Sequence, residues 1–222
     1  MRPIFGSAVV ALRMHLGAPY LAVLSHAEGG VLAVLAGTER PLSGREVARI
    51  GGQPRSTVAR VLRRLVEHGV VEAREAGAGA ALLYRLNREH LASEPLEVLI
   101  TLRRRLVERI RGELATWSLR PFHASLFGSA ARGDGDTRSD IDLFLVRPTD
   151  VPADDPGWRE QLDRLATRIE RWTGNRASLA DISLDDVARL ARERPPVVRE
   201  LEREAITLQG PPAHEILAGD IP

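Results

Sequence analysis

Two aspartates, Asp140 and Asp142, stand two residues apart at the head of an apolar run that ends at Val146. Upstream, a Gly-Ser pair, Gly128 and Ser129, closes an earlier apolar run, within the stretch LFGSAARGDGDTRSDIDLFLV. Read as a strand, Ile141 to Val146 has a period of two, so Asp140 and Asp142 share one face while Ile141 and Leu143 turn to the other. Neighbouring carboxylates repel one another and resist burial, and the arrangement makes sense only if a cation neutralises them. Mg²⁺ suits that role, because it takes hard oxygen ligands and shares them with substrate phosphates. Gly128 and Ser129 open a turn in which missing side-chain bulk lets backbone N–H groups approach an anion. Together these residues point to metal-assisted handling of a phosphorylated ligand.

The stretch resembles the signature of polymerase-beta-like nucleotidyltransferases, a Gly-Ser pair followed by a spacer and an Asp-x-Asp strand. The ten residues between Ser129 and Asp140 are the spacing of the minimal members of that family. The resemblance implies that Gly128 and Ser129 bind the triphosphate tail of ATP or another nucleoside triphosphate. It makes Asp140 and Asp142 catalytic residues holding two Mg²⁺ ions, which align the α-phosphate for in-line attack and stabilise the departing pyrophosphate. Arg132 and Ser139 become auxiliary phosphate- or metal-positioning groups. The family takes a third carboxylate, able to act as general base, from a later strand. Laid over RASLADISLDD, that pattern puts Ser178 where the aspartate would fall. Asp181 is the nearest replacement and the third catalytic expectation. An odd shift along a strand nevertheless points it to the other face unless a bulge intervenes. Asp185 and Asp186 read as residues of a helix N-terminus. A second Gly-Ser-Ala, at Gly6 to Ala8, has no Asp-x-Asp behind it and is read as a decoy.

The elements around these residues read as a small mixed-sheet α/β domain over 120–211. GWREQLDRLATRIERWTG is an amphipathic helix closed by Gly174, ASLADISL a strand, the residues around Pro195 and Pro196 helical, and AITLQG a last strand. Strands alternating with helices place a ligand at one sheet edge.

The first half has a different grammar. A short apolar helix closed by Gly37 precedes SGREVARI, in which Ser43 and Glu46 have capping-box spacing. Gly51 and Gly52 suit a tight turn, and Pro54 suits the start of the helix PRSTVARVLRRLVEHG, which buries Val58, Val61, Leu62, Leu65 and Val66. Two strands joined through Gly77, Ala78 and Gly79 follow. In this order the elements resemble a winged helix-turn-helix domain of the bacterial transcription-regulator kind, over 28–90. The resemblance implies duplex DNA as a partner, with Arg55, Ser56, Thr57, Arg60 and Arg63 (or Arg64) on the recognition helix and Arg74 and Arg85 on the wing. Residues 91–119 read as a helical connector whose stripe of Leu99, Leu102, Leu106, Ile110, Leu114 and Trp117 packs or dimerises, leaving a homodimer open. The fold class is therefore α+β: an N-terminal winged helix-turn-helix domain, a connector and a C-terminal nucleotidyltransferase domain.

Bulk properties agree. The chain has 222 residues, 44% hydrophobic and 27% charged, with no cysteine, which excludes disulfides and thiolate metal sites. No long apolar segment or leader-like N-terminus is evident, so a cytoplasmic location without membrane insertion is expected. The net charge of +1 hides an asymmetry: residues 1–120 carry 18 arginines against 11 acids, and residues 121–222 carry 13 against 19. A basic half is compatible with nucleic acid. Two functions from different classes follow. One is transfer of a nucleoside monophosphate, AMP from ATP, to a protein or small-molecule acceptor. The other is a DNA-binding regulator whose transferase domain only senses nucleotide.

Overall fold

A computed structural model describes residues 13–75 and 81–219. The Gly6–Ala8 decoy and the hairpin turn at Gly77–Gly79 lie outside the described residues. The chain divides into two compact units, one of 18–102 and one formed by 1–17 together with 103–222.

The contiguous unit opens with a 3-10 turn (Pro19–Ala22) and α1 (His26–Ala36), whose N-terminus is capped by Ser25. A two-residue strand β1 (Leu42–Ser43) leads into α2 (Gly44–Ile50), where Ser43 and Glu46 form the expected capping box. Gly52, at φ +62°, makes the turn to α3 (Arg55–Glu67), with Pro54 at the N-cap. Strands β2 (Val71–Glu75) and β3 (Leu82–Leu86) pair antiparallel, β1 adds to the far side of β3, and α4 (Ser93–Ile100) follows. The core gathers Leu32 and Leu35 from α1, Val47 from α2, and Val58, Val61 and Leu62 from α3. Val66, expected in the core, is only partly buried.

After Thr101 comes α5 (Leu102–Ala115), which from Arg103 onward belongs to the second unit, so the expected connector is two helices, α4 and α5, broken at Thr101. Leu106, Ile110 and Leu114 of the expected stripe are buried in the core of this unit, together with Trp117. A four-stranded mixed sheet follows in the order β6-β5-β4-β7. Its strands are β4 (His123–Phe127), β5 (Ile141–Val146), β6 (Ala177–Ile182) and β7 (Ile206–Gln209). β5 runs antiparallel to β4 and parallel to β6. The intervening helices are α6 (Gly128–Arg132), α7 (Pro156–Thr173), α8 (Leu184–Glu193), α9 (Pro196–Glu204) and α10 (Ala213–Ala218). Alternation along β5 divides the core: Ile141, Leu143 and Leu145 face α5 and α7, while Phe144 and Val146 face α8, α9 and α10. An apolar β5, buried on both faces, is what such a three-layer arrangement requires. The architecture is α+β, with the helix-turn-helix first and the mixed sheet second.

Candidate functional site

The site starts where β4 turns into α6. Gly128 sits at φ +65°, in the left-handed region that side chains avoid, and a Cβ there would fall 2.7 Å from the Asp142 Oδ2 atom. The glycine therefore lets the backbone of the turn lie directly against the carboxylate. α6 lasts five residues and ends at Gly133, φ +80°. The Arg103 guanidinium, from α5, donates to the carbonyls of Ala131 (2.7 Å) and Ala130 (3.3 Å) at that end.

Asp142 is half-buried in β5, opposite Phe127 on β4 and Ser178 on β6. Burial pushes its carboxyl above the usual range, and the like charges of Asp140 and Glu200 push the same way. Arg132 and a hydrogen bond from the Ser178 hydroxyl partly offset them. This is a carboxyl held in a place that wants more positive charge than the protein supplies. Asp140, just before β5, is more exposed, and its Oδ1 lies 3.6 Å from Nη1 of Arg13.

Among the described residues no group of three or more His, Cys, Asp or Glu side chains is arranged to hold a metal alone. Two carboxylates completed by nucleotide oxygens fit Mg²⁺, which is commonly bound through one or two carboxylates plus phosphates. The under-neutralised Asp142 is the observation that makes the fit.

The auxiliary residues are more occupied than their spacing implied. Arg132 pairs with Asp134 (3.0 Å) and with Glu204 (2.9 Å), though it is still close enough to lower the Asp142 pKa. Ser139 hydrogen-bonds to Asp136, whose N–H donates back to the Ser139 hydroxyl at 3.0 Å, so Ser139 builds the turn before β5.

The third catalytic expectation is corrected. Asp181 pairs in register with Leu145, not Asp142, and its side chain meets Arg147 at 2.8 Å. Residues 177–182 run in unbroken register beside β5. With no bulge, the period of two turns Asp181 to the face away from Ser178 and Asp142. Asp185 lies in the first turn of α8, and Asp186 completes the capping box with Ser183. Two residues near the site escaped the sequence reading. Glu200 comes from α9 and Arg13 from a segment more than a hundred positions from Asp140. No local spacing announces either.

On the other unit, α3 exposes Arg55, Ser56, Arg60 and Arg63, with Thr57 half-buried. No ion pair engages these three arginines among the described residues, whereas Arg64 is paired with Glu28. The wing arginines share one acidic partner: Glu72 meets Arg85 at 2.7 Å and Arg74 at 3.5 Å.

The fold joins a helix-turn-helix unit to a mixed-sheet unit that carries the paired aspartates. Residues 107–206 match the family described as a nucleotidyltransferase domain, and residues 30–75 match the IclR helix-turn-helix domain. The chain carries both domains. No curated protein matches it significantly. Solved structures with local similarity include a toxin-antitoxin with AMP-PNP, at 17% identity over 51% of this chain and 82% of that chain, TM-score 0.36. A mutant of the toxin-antitoxin MntA-HpeT has 15% identity over 51% and 81%, TM-score 0.35. A candidate nucleotidyltransferase from Sulfolobus solfataricus has 17% identity over 49% and 83%, TM-score 0.28. Among the described residues no helix is long and apolar enough to cross a membrane.

Proposed function

We propose that the protein binds a nucleoside triphosphate, ATP in the first instance, with Mg²⁺, and transfers its nucleoside monophosphate to a protein or small-molecule acceptor, while α3 binds duplex DNA. The observation that carries this reading is the seating of the Gly128 turn directly against Asp142, a carboxylate its neighbours do not fully neutralise. In the reaction an acceptor oxygen or nitrogen attacks the α-phosphorus, the bond to the β-phosphate oxygen breaks, and pyrophosphate leaves. Asp140 and Asp142 would hold Mg²⁺, which when bound supplies charge for the developing negative oxygens. Gly128 and Ser129 admit the triphosphate tail, Arg132 adds a nearby guanidinium, and Ser178 holds Asp142 in place. The acceptor proton goes to water or to the acceptor's own surroundings, since β6 offers no carboxylate on this face.

That last point favours a second reading, in which the same pocket binds MgATP and reports it to the DNA-binding domain with little or no transfer. Ser178 beside Asp142, and Asp181 turned away to Arg147, are the observations behind it. Incubation of the full chain with α-labelled ATP and Mg²⁺, alone and with proteins encoded beside it, separates the two. Label on an acceptor, lost in Asp142→Ala, supports transfer. Mg²⁺-dependent ATP binding without label supports sensing, and no binding overturns both.

A further inference from the structure

The chain passes between its two units twice, at Gly17–Ala18 and at Leu102–Arg103. Inside the nucleotidyltransferase unit, the residues next to both crossings grip one stretch of chain. That stretch, 130–135, is the end of α6 and the start of the chain leading to Asp140 and the strand of Asp142.

The first crossing is prepared by a strap, residues 13–17. Arg13 donates to the Arg138 carbonyl (3.3 Å) and faces Asp140 at 3.6 Å. The Met14 N–H is fixed to the Thr173 carbonyl at 2.9 Å and to Asn175 at 2.8 Å, while Asn175 also donates to the Ser139 carbonyl at 2.9 Å. Leu16 is buried at 1% exposure. Gly17, the last residue before the crossing, donates to the Gly135 carbonyl at 2.7 Å, and a Cβ on it would lie 2.8 Å from the Gly133 carbonyl oxygen. At the second crossing, Arg103 binds the Ala130 and Ala131 carbonyls, and a Cβ on Gly133 would lie 3.0 Å from its guanidinium carbon.

A fusion that merely tethers two domains would leave polar, flexible residues between them. Here no residue separates the last contact with that stretch from either crossing. We propose that these two junctions, with Arg13 and Arg103 as positioning residues, couple the nucleotide site to the helix-turn-helix unit, so that nucleotide and DNA change each other's affinity. The proposal rests on the nucleotide- and DNA-binding reading above. Arg13 is a cation held against Asp140, and a divalent ion arriving there competes with it for the same carboxylate. Loss of that contact loosens the strap at one end, and its other end is Gly17. A triphosphate seated on Gly128 and Ser129 acts on the carbonyls held by Arg103. Linkage makes the effect reciprocal, with couplings of about 5- to 150-fold typical where two sites communicate.

The test uses the full chain, random-sequence duplex DNA at low salt, and a non-transferable ATP analogue with Mg²⁺. DNA affinity is measured by anisotropy with and without the analogue, and analogue affinity by calorimetry with and without DNA. A shift of about fivefold or more, equal in both directions, is expected. Inserting a flexible Gly-Ser segment at both crossings should bring the ratio to one while each ligand alone binds as before. Arg13→Gln and Arg103→Gln should each reduce it. Binding of both ligands without mutual effect in the unaltered chain, or a ratio unchanged by the insertions, overturns the coupling and leaves the proposed function standing. Failure of either ligand to bind the unaltered chain overturns the coupling and the proposed function together.

Discussion

The two units treat charge in opposite ways. On the helix-turn-helix unit, Arg55, Arg60 and Arg63 stand exposed on one helix with no acidic partner among the described residues. Around Asp142, Arg13 and Arg132 are each engaged by carboxylates, and the excess is negative. A row of unanswered guanidinium groups suits a polyanion met as a whole surface, with affinity from counterion release. A half-buried carboxyl that its neighbours fail to neutralise suits a single small cation. The difference is between positive charge spread over one exposed helix face and negative charge gathered around one half-buried carboxyl.

The sharpest way to break that comparison is at Asp142. Asp142→Ala removes a carboxylate from the proposed cation site, and Mg²⁺-dependent ATP affinity should fall by about a hundredfold or more, several kcal/mol of charge stabilisation being at stake. Calorimetry in the presence and absence of Mg²⁺ measures it, and unchanged affinity removes the cation from the account.

Ser178→Asp and Asp181→Asn come next. The first restores a carboxylate beside Asp142 and should raise any residual transfer by about a hundredfold, the usual worth of general-base assistance. The second should leave transfer per folded molecule unaltered and act on stability, because it breaks a buried pair with Arg147, a loss of roughly 3–5 kcal/mol. Single-turnover kinetics with thermal unfolding on the same samples separates the effects. A selective loss of transfer in Asp181→Asn would restore that residue to the chemistry.

Gly128→Ala forces a side chain into left-handed backbone and against the Asp142 carboxylate. A strain of about 1–3 kcal/mol should weaken MgATP binding roughly ten- to a hundredfold, while α3 keeps its DNA affinity. Parallel titrations with nucleotide and with DNA show whether the defect is local to the pocket.

On the arginine side, replacing Arg55, Arg60 or Arg63 should flatten the slope of log DNA affinity against log salt by about one unit per residue. Replacing Arg74 or Arg85, already held by Glu72, should change it less. Equal slopes for both groups would erase the distinction between answered and unanswered charge.

The smallest effect concerns His123. Burial pushes its imidazole below the ordinary range, an effect the Pro211 carbonyl only partly opposes, and its other nitrogen meets the Ser125 hydroxyl at 2.9 Å. The unfolded chain therefore binds the proton more readily. Stability from this residue is complete above an ordinary histidine pKa of about 6.5 and is lost as the pH falls through the lower folded value. Melting temperatures of the protein and of His123→Gln, followed down to mildly acidic pH, should converge.

What could be read in the sequence was whatever is short-range. The capping box at Ser43 and Glu46, the glycine stop at Gly174 and the strand from Ile141 are each written in a few consecutive residues, and each formed as expected. The exposure of Arg55, Arg60 and Arg63 was equally legible, because one helix carries all three. The candidate site was only partly local in sequence. Gly128, Ser129, Asp140 and Asp142 announce themselves by spacing, while Glu200 and Arg13 arrive by folding from opposite ends of the chain. Asp181 misled for a related reason: proximity in sequence suggested a replacement that strand alternation then turned to the other side. The ion pair between Arg85 and Glu72 was not legible, because a register pairing of two strands sets it.

Division of the second unit into a strap and a distant remainder has a consequence for synthesis. Residues 18–102 form a contiguous body inserted into another, and they can fold while the ribosome is still making residues 103 onward. The strap ahead of them cannot, since its partners Asn175, Ser139 and Gly135 are translated later. Its bonds close over a long loop, and only after the chain has been made as far as Asn175. Gly17 and Arg103, the host residues flanking the insertion, both lie close to Gly133.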